Sequence, residues 1–164
     1  YGVSTDYAAQ MSAMTRGLAY FGNPGARSKP GQVGNTPIAG HSSNDIIDQG
    51  DYKFIFAQLD RLQKGDTIYT NYLGTRYTYI VSRTEVVKPN DINKLVYPTT
   101  APLLTLITCT PVGTALNRLL VTAEQVSPSP GGASVAPTDS GKAVTNVEIP
   151  GNSPTIFERL FGAR

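Results

Sequence analysis

The chain carries one cysteine, Cys109, and one histidine, His41, in 164 residues. A thiolate attacks carbonyl carbon, and imidazole is the side chain best suited to move a proton near neutral pH. A lone Cys with a lone His is therefore a candidate nucleophile and base, provided the fold brings them together. Acyl chemistry also needs a donor for the developing oxyanion. Arg118 follows Cys109 closely, with Pro111 and Gly113 between them, so two strands joined by that loop would set Arg118 alongside Cys109. His41 comes from far earlier and has to arrive through the fold. Each residue also has a plainer reading. A single Cys is usually a small buried hydrophobe, His41 serves as a satisfied core histidine, and Arg118 pairs with an acid such as Glu124 on the surface.

If the thiol and imidazole are unperturbed, at about 8.5 and about 6.5, each is roughly one-tenth in its active form near pH ~7.5. Titrating independently, the thiolate–imidazolium pair is then on the order of 1% of the protein. Such an enzyme is slow and has a bell-shaped pH dependence.

Several elements must position these residues. Thr5 to Leu18 sets Tyr7, Met11, Met14 and Leu18 three or four apart, the stripe of a short amphipathic helix facing the core, with Thr5 or Asp6 as its cap. Residues 21–35 are rich in Gly and Pro and read as loop. Thr36–His41 reads as a short buried strand that delivers His41. The Phe54, Ile55, Leu59 and Leu62 spacing predicts a helix over 51–62, and Lys64-Gly65-Asp66 a turn. Thr67–Tyr72 and Thr75–Val87, rich in Tyr, Ile and Val around Gly74, predict a hairpin. Ile92–Val96 suits one helical turn, Pro102–Cys109 an apolar strand, and Leu116–Val126 the strand with Arg118. From Ser127 to Gly141 the composition shifts to Pro, Gly, Ser, Ala and Thr, which predicts a flexible linker. The tail, 142–164, has a brief amphipathic patch at 155–161. No internal repeat is evident.

Composition narrows the class further. Apolar residues make up 40%, enough for one core in one domain. The net charge is +2 with no basic stripe, so nucleic acid is not an expected partner. One cysteine allows no intrachain disulfide. One Cys and one His fall short of a usual transition-metal ligand set, and no cofactor is expected. Whether a Ca²⁺ site exists is undecidable from the sequence, since scattered acids such as Asp45, Asp48 and Asp51 are more often solvated surface. No apolar run reaches the roughly 18 residues of a membrane span, and no signal peptide is visible.

The motifs then become specific. Thr105-Leu106-Ile107-Thr108-Cys109 resembles the TLxTC signature of the sortases. Asn117-Arg118-Leu119-Leu120-Val121 resembles the Arg-bearing strand that follows it in that family. Ala39-Gly40-His41, preceded by Gly34-Asn35, resembles the His segment, and the order His, Cys, Arg matches. The similarity spans about residues 15–126. It implies a mainly β protein, a closed barrel with short helices, whose catalytic domain covers residues 1–126. It implies His41, Cys109 and Arg118 as catalytic residues, with Thr108, Ile107, Ala39 and Pro111 at the substrate. The implied activity is cleavage of a C-terminal sorting signal through a thioacyl-enzyme, then transfer to an amine on a peptidoglycan cross-bridge or a protein lysine. A hydrolytic peptidase of the same fold and a non-catalytic peptide-binding barrel are the alternatives. The implied setting is the cell surface, with any membrane attachment through segments outside this chain.

The sequence departs from the family pattern in places. Sortases begin the barrel with an extra strand before the first helix; only Tyr1-Gly2-Val3 precedes it here, so the first strand and most of the second are expected to be absent, leaving an open strand edge. Ser42-Ser43-Asn44 stands where many relatives carry Arg-Thr. No aspartate-Pro-aromatic lid of the pilus-building type is present. Ile149-Pro150-Gly151-Asn152 loosely resembles a sorting motif, which raises the expectation that it occupies the substrate groove.

Overall fold

Hydrophobic patterning builds one sheet. A computed structural model of the chain describes residues 6–24, 26–43, 50–136, 147–152 and 160. The first helix, α1 (Tyr7–Met14), starts where the Asp6 carboxylate accepts the Ala9 N–H at 2.8 Å, satisfying an amide that the first turn leaves without a partner. It is shorter than the expected 5–18 because the chain turns at Arg16-Gly17 into a two-residue strand, β1 (Ala19–Tyr20). Met14 is fully buried and Met11 packs beside the core.

Next come β2 (Gln32–Ala39), β3 (Thr67–Tyr72), β4 (Thr75–Val87), β5 (Pro102–Thr110), β6 (Asn117–Ser127) and a short β7 (Ser134–Val135). The β3–β4 hairpin lies where the sequence predicts it. Its two turn residues, Leu73 and Gly74, have φ of 48° and 77°, the left-handed pair that matches the twist of the strands. The sheet order is β1-β2-β5-β6-β4-β3, with β7 also on β2. β2 runs parallel to β5 and β7, and the other pairings are antiparallel. Register shifts between β4 and β6 at Thr78/Tyr79 and Val81/Arg83 bend the strands, and the sheet curls into a half-barrel with few helices.

β5 and β6 are buried on both faces, so two apolar clusters form. Ile107 and Leu120 pack with Met14, Phe21, Ala39 and Leu95 on one side. Leu104, Leu106, Leu119 and Val121 pack with Leu59, Tyr79 and Val81 on the other. Leu104 is fully buried, so Leu104→Ala should destabilise the chain by about 2–5 kcal/mol, visible as an earlier midpoint in urea unfolding. A polar chain crosses the three central strands: Asn35 Nδ2 donates to Leu95 O at 3.0 Å, Thr105 Oγ1 donates to Asn35 Oδ1 at 2.8 Å, and the hydroxyls of Thr105 and Thr122 lie 3.3 Å apart. Slipping β2 against β5 by one residue would bury these groups unpaired, so they fix the register that carries His41.

Three expectations change. Residues 51–62 form no α-helix but a run of tight turns, including a 3₁₀ turn at Leu59–Arg61. Amides bond three residues back (Ala57 to Phe54, Leu59 to Phe56), while the Phe56 N–H is given to the His41 carbonyl at 2.9 Å. That tertiary bond takes the donor an α-helix would need. β2 begins at Gln32, inside the stretch that reads as loop. The linker reading also fails for its first half, where a 3₁₀ turn (Pro130–Gly132) leads into β7 on Gln32 and Val33. The outer edge of β2 is thus paired at one end by β7 and at the other by β1, through Ala39 and Ile38. Pro37, which has no N–H to offer, sits between. No helix among the described residues is long and apolar enough to cross a membrane.

Candidate active site

Strand pairing places all three chemical residues. In the β5–β6 ladder Cys109 lies directly opposite Arg118, which puts their side chains on one face as cross-strand neighbours. The parallel β2–β5 ladder runs to Ala39↔Ile107, and the Gly40 N–H then donates to the Ile107 carbonyl at 3.0 Å. His41, two residues beyond the end of β2, is therefore level with Cys109. Thr108 Oγ1 donates to the Gly40 carbonyl at 2.8 Å, which ties the His segment to the Cys strand.

The trio is enclosed. Cys109, His41 and Arg118 are each 1% exposed. A guanidinium cannot be neutralised by losing its proton, so its burial requires acceptors. Its recorded hydrogen bonds run to carbonyls: Nη1 to Ala115 at 2.9 Å and Asn117 at 3.3 Å, Nε to Ile149 at 2.9 Å and Pro150 at 3.1 Å. The surface pairing with Glu124 is not what the structure places there: Glu124 is exposed further along β6, whereas Arg118 points inward beside the thiol. Tyr7 closes the same side. Burial pushes its hydroxyl above the usual phenol range; the Arg118 charge opposes this, while Cys109 and Glu148 add to it. Tyr7 therefore stays a neutral donor, and its O–H reaches the Asn152 carbonyl at 3.5 Å.

Two regions meet at Cys109. On the face shared with Arg118, residues 149–152 lie across the thiol. Ile149 is fully buried in the cluster with Met14, Ile107 and Leu120, its N–H donates to Pro89 O at 2.7 Å, and the Asn152 N–H donates to Cys109 Sγ at 2.9 Å. On the other face is a cavity of 180 Å³ bounded by Thr108, Thr110, Leu119, Phe56, Asp60 and Cys109 itself. Thr108 and Leu119 alternate with Cys109 and Arg118 along their strands and so face the opposite way.

The expected substrate residues separate. Ile107 and Ala39 are fully buried core residues on the Ile149 side. Thr108 commits its hydroxyl to Gly40 and lines the cavity, as does Pro111. Sequence reasoning missed Tyr7, Pro89 and Thr114 as parts of this site. Ser42 and Ser43 stood out only as a departure from the family pattern. Among the described residues no group of three or more His, Cys, Asp or Glu could hold a metal ion; Asp45 and Asp48 lie outside the described residues.

Residues 3–126 match the sortase domain family model. Among solved structures, sortase C-1 from Actinomyces oris is 33% identical with a TM-score of 0.58, covering 72% of this chain and 63% of its own. Clostridium perfringens sortase C with the C-terminal cell wall sorting motif is 26% identical at 0.60, covering 76% and 60%. A lid mutant of sortase A from Corynebacterium diphtheriae is 29% identical at 0.57, covering 78% and 63%. The chain spans about three fifths of the length of these structures. No curated protein matches it. With the domain match over most of its length, and with Cys, Arg and His segments on adjoining strands, the chain belongs to the sortase family.

Proposed function

We propose that this chain is a cysteine transpeptidase that cleaves a peptide sorting signal and joins the upstream part to an amine at the cell surface. The observation that carries the reading is the placement of Cys109 opposite Arg118 on β5 and β6, with His41 brought level by the β2–β5 register. The Cys109 thiolate adds to the carbonyl carbon of the scissile peptide, and the Arg118 guanidinium holds the developing oxyanion. His41, as imidazolium, gives its proton to the leaving nitrogen; the C–N bond breaks, leaving a thioester on Cys109 and a free downstream amine. An incoming primary amine loses a proton to His41 and attacks the thioester. The C–S bond breaks, the thiolate returns, and a new amide forms. The cavity on the far side of Cys109, with the Asp60 carboxylate at its wall, suits the approach of an ammonium that does not cross the peptide's path. The C. perfringens sortase C bound to a sorting motif supports a peptide substrate here by family likeness. Membrane attachment, through segments outside this chain, belongs to the same proposal.

Transfer is separated from hydrolysis by the fate of the thioester. In a peptide-cleavage assay with a sorting-signal library, added hydroxylamine or oligoglycine should raise turnover several-fold and give the amine adduct by mass spectrometry. The rate should be bell-shaped in pH, as a proton-donating imidazolium paired with a thiolate requires. Unchanged turnover with only the hydrolysed acid as product sinks transfer in favour of a peptidase.

A further inference from the structure

Every polar atom of the Asn152 side chain has partners at the site. It is 2% exposed. Its Oδ1 accepts the Ser42 N–H at 3.2 Å and faces His41 Nδ1 at 3.3 Å. Its Nδ2 is 3.1 Å from Ser42 Oγ, 3.3 Å from Ser43 Oγ and 3.3 Å from the Thr114 carbonyl. The amide orientation follows from its partners alone, because a backbone N–H can only donate and a carbonyl can only accept. The oxygen must face Ser42 N–H and the nitrogen must face Thr114. Both lone pairs of Oδ1 and both hydrogens of Nδ2 then have partners, and His41 Nδ1 carries the hydrogen that Oδ1 accepts. A carboxylate of the same shape would set an unprotonated oxygen against the Thr114 carbonyl. A hydrocarbon would leave the Ser42 amide buried and unmatched.

The backbone beside it gives the thiol a donor. Asn152 N–H donates to Cys109 Sγ at 2.9 Å, which sets the sulfur on the nitrogen side of the Gly151–Asn152 peptide plane. Attack on the Gly151 carbonyl carbon requires approach from above that plane. Arg118 Nε meanwhile holds the carbonyls of Ile149 and Pro150, the residues upstream. Gly151 is required by the closeness of the fit: a Cβ there would collide with Cys109 Sγ and with the Arg118 guanidinium.

We infer that Ser42, Ser43, Thr114 and His41 form a subsite for a primary carboxamide, and that Ile149–Asn152 is a built-in, uncleaved occupant which uses it to mask Cys109. The inference rests on the reading of Cys109 as the reactive thiol, not on transfer chemistry. Ile149 in its apolar pocket and Asn152 in the carboxamide subsite are two anchors, with the thiol covered between them. A peptide substrate needs the same Arg118 donor and the same face of Cys109, so it competes with this strap.

The test uses the full chain and the rate at which iodoacetamide alkylates Cys109, read by mass; the chain has no other cysteine. Gly151→Ala, which forces the strap off the thiol, should raise that rate at least tenfold. Asn152→Asp, nearly isosteric and so the safer variant for folding, should raise it several-fold. The peptide acetyl-Val-Glu-Ile-Pro-Gly-Asn-amide, added to either variant, should restore protection, whereas the same peptide with Asp in place of Asn should not. Rates within twofold of the unaltered chain in Asn152→Asp, with an unchanged melting temperature, overturn the strap. Equal protection by the Asn and Asp peptides overturns the carboxamide subsite. Faster alkylation in variants that cleave no peptide would leave the strap standing and count against the transpeptidase reading alone.

Discussion

Cys109→Ala is expected to lower peptide cleavage and amine transfer by on the order of 10⁴-fold or more, the usual consequence of removing a covalent nucleophile. No other thiol can substitute, because Cys109 is the single cysteine of the chain. The packing cost is small: Cys109 is buried on an apolar strand, and losing one sulfur from a core costs about 1 kcal/mol. The alanine also removes the acceptor of the Asn152 N–H. Cys109→Ser separates the two effects, since a hydroxyl keeps an acceptor close to that amide and remains a far poorer nucleophile. Both variants should be inactive, with Cys109→Ser melting closer to the unaltered chain. Full activity in Cys109→Ala, read as cleaved and transferred peptide by mass, would rule out Cys109 as the nucleophile, whereas peptide binding without product in both chains would identify a non-catalytic peptide-binding barrel.

Arg118→Lys is expected to lower kcat/KM by about 10²- to 10³-fold, the range seen on removing an oxyanion donor. The exchange keeps the charge but not the geometry. Arg118 spans acceptors on two sides: Ala115 and Asn117 through Nη1, and two carbonyls of a passing peptide through Nε. An ammonium on a flexible stem cannot hold both sets at once. If Arg118 acts on the oxyanion, the loss falls in kcat; if it only grips the substrate backbone, it falls in KM. Each buried carbonyl left without a donor also costs about 1–3 kcal/mol, so the variant should melt earlier. A variant within threefold of the unaltered chain in kcat/KM would reduce Arg118 to a structural cation.

Much of this was legible in the residues. The β3–β4 hairpin has both boundaries where the Tyr- and Val-rich runs and Gly74 place them, because a turn needing positive φ is a local requirement. Strands β5 and β6 are legible because continuous apolar runs of strand length have few other homes. The nearness of Cys109 and Arg118 follows from two strands and a short loop. The Asp6 cap is equally local. Residues 51–62 have helical apolar spacing and yet form no α-helix, because the Phe56 amide is taken by the His41 carbonyl, a partner that periodicity cannot show. The start of β2 is not legible, because Gln32–Asn35 carries no strand pattern; its ladder with β5 and the Asn35–Thr105–Thr122 chain make it a strand.

The sequence by itself named the proposed reacting groups, Cys109, His41 and Arg118, because their motifs and their order resemble those of the sortases. Only the tertiary structure decided what surrounds them. The enclosure of Arg118 by carbonyls, the split of Cys109 between a covered face and a cavity, and the carboxamide pocket of Ser42, Ser43 and Thr114 all come from residues distant in the chain. Those contacts are fixed by the parallel β2–β5 register and by Ile149 entering the core. Neither leaves a mark on local composition, since burial and hydrogen-bond matching are properties of the packed chain.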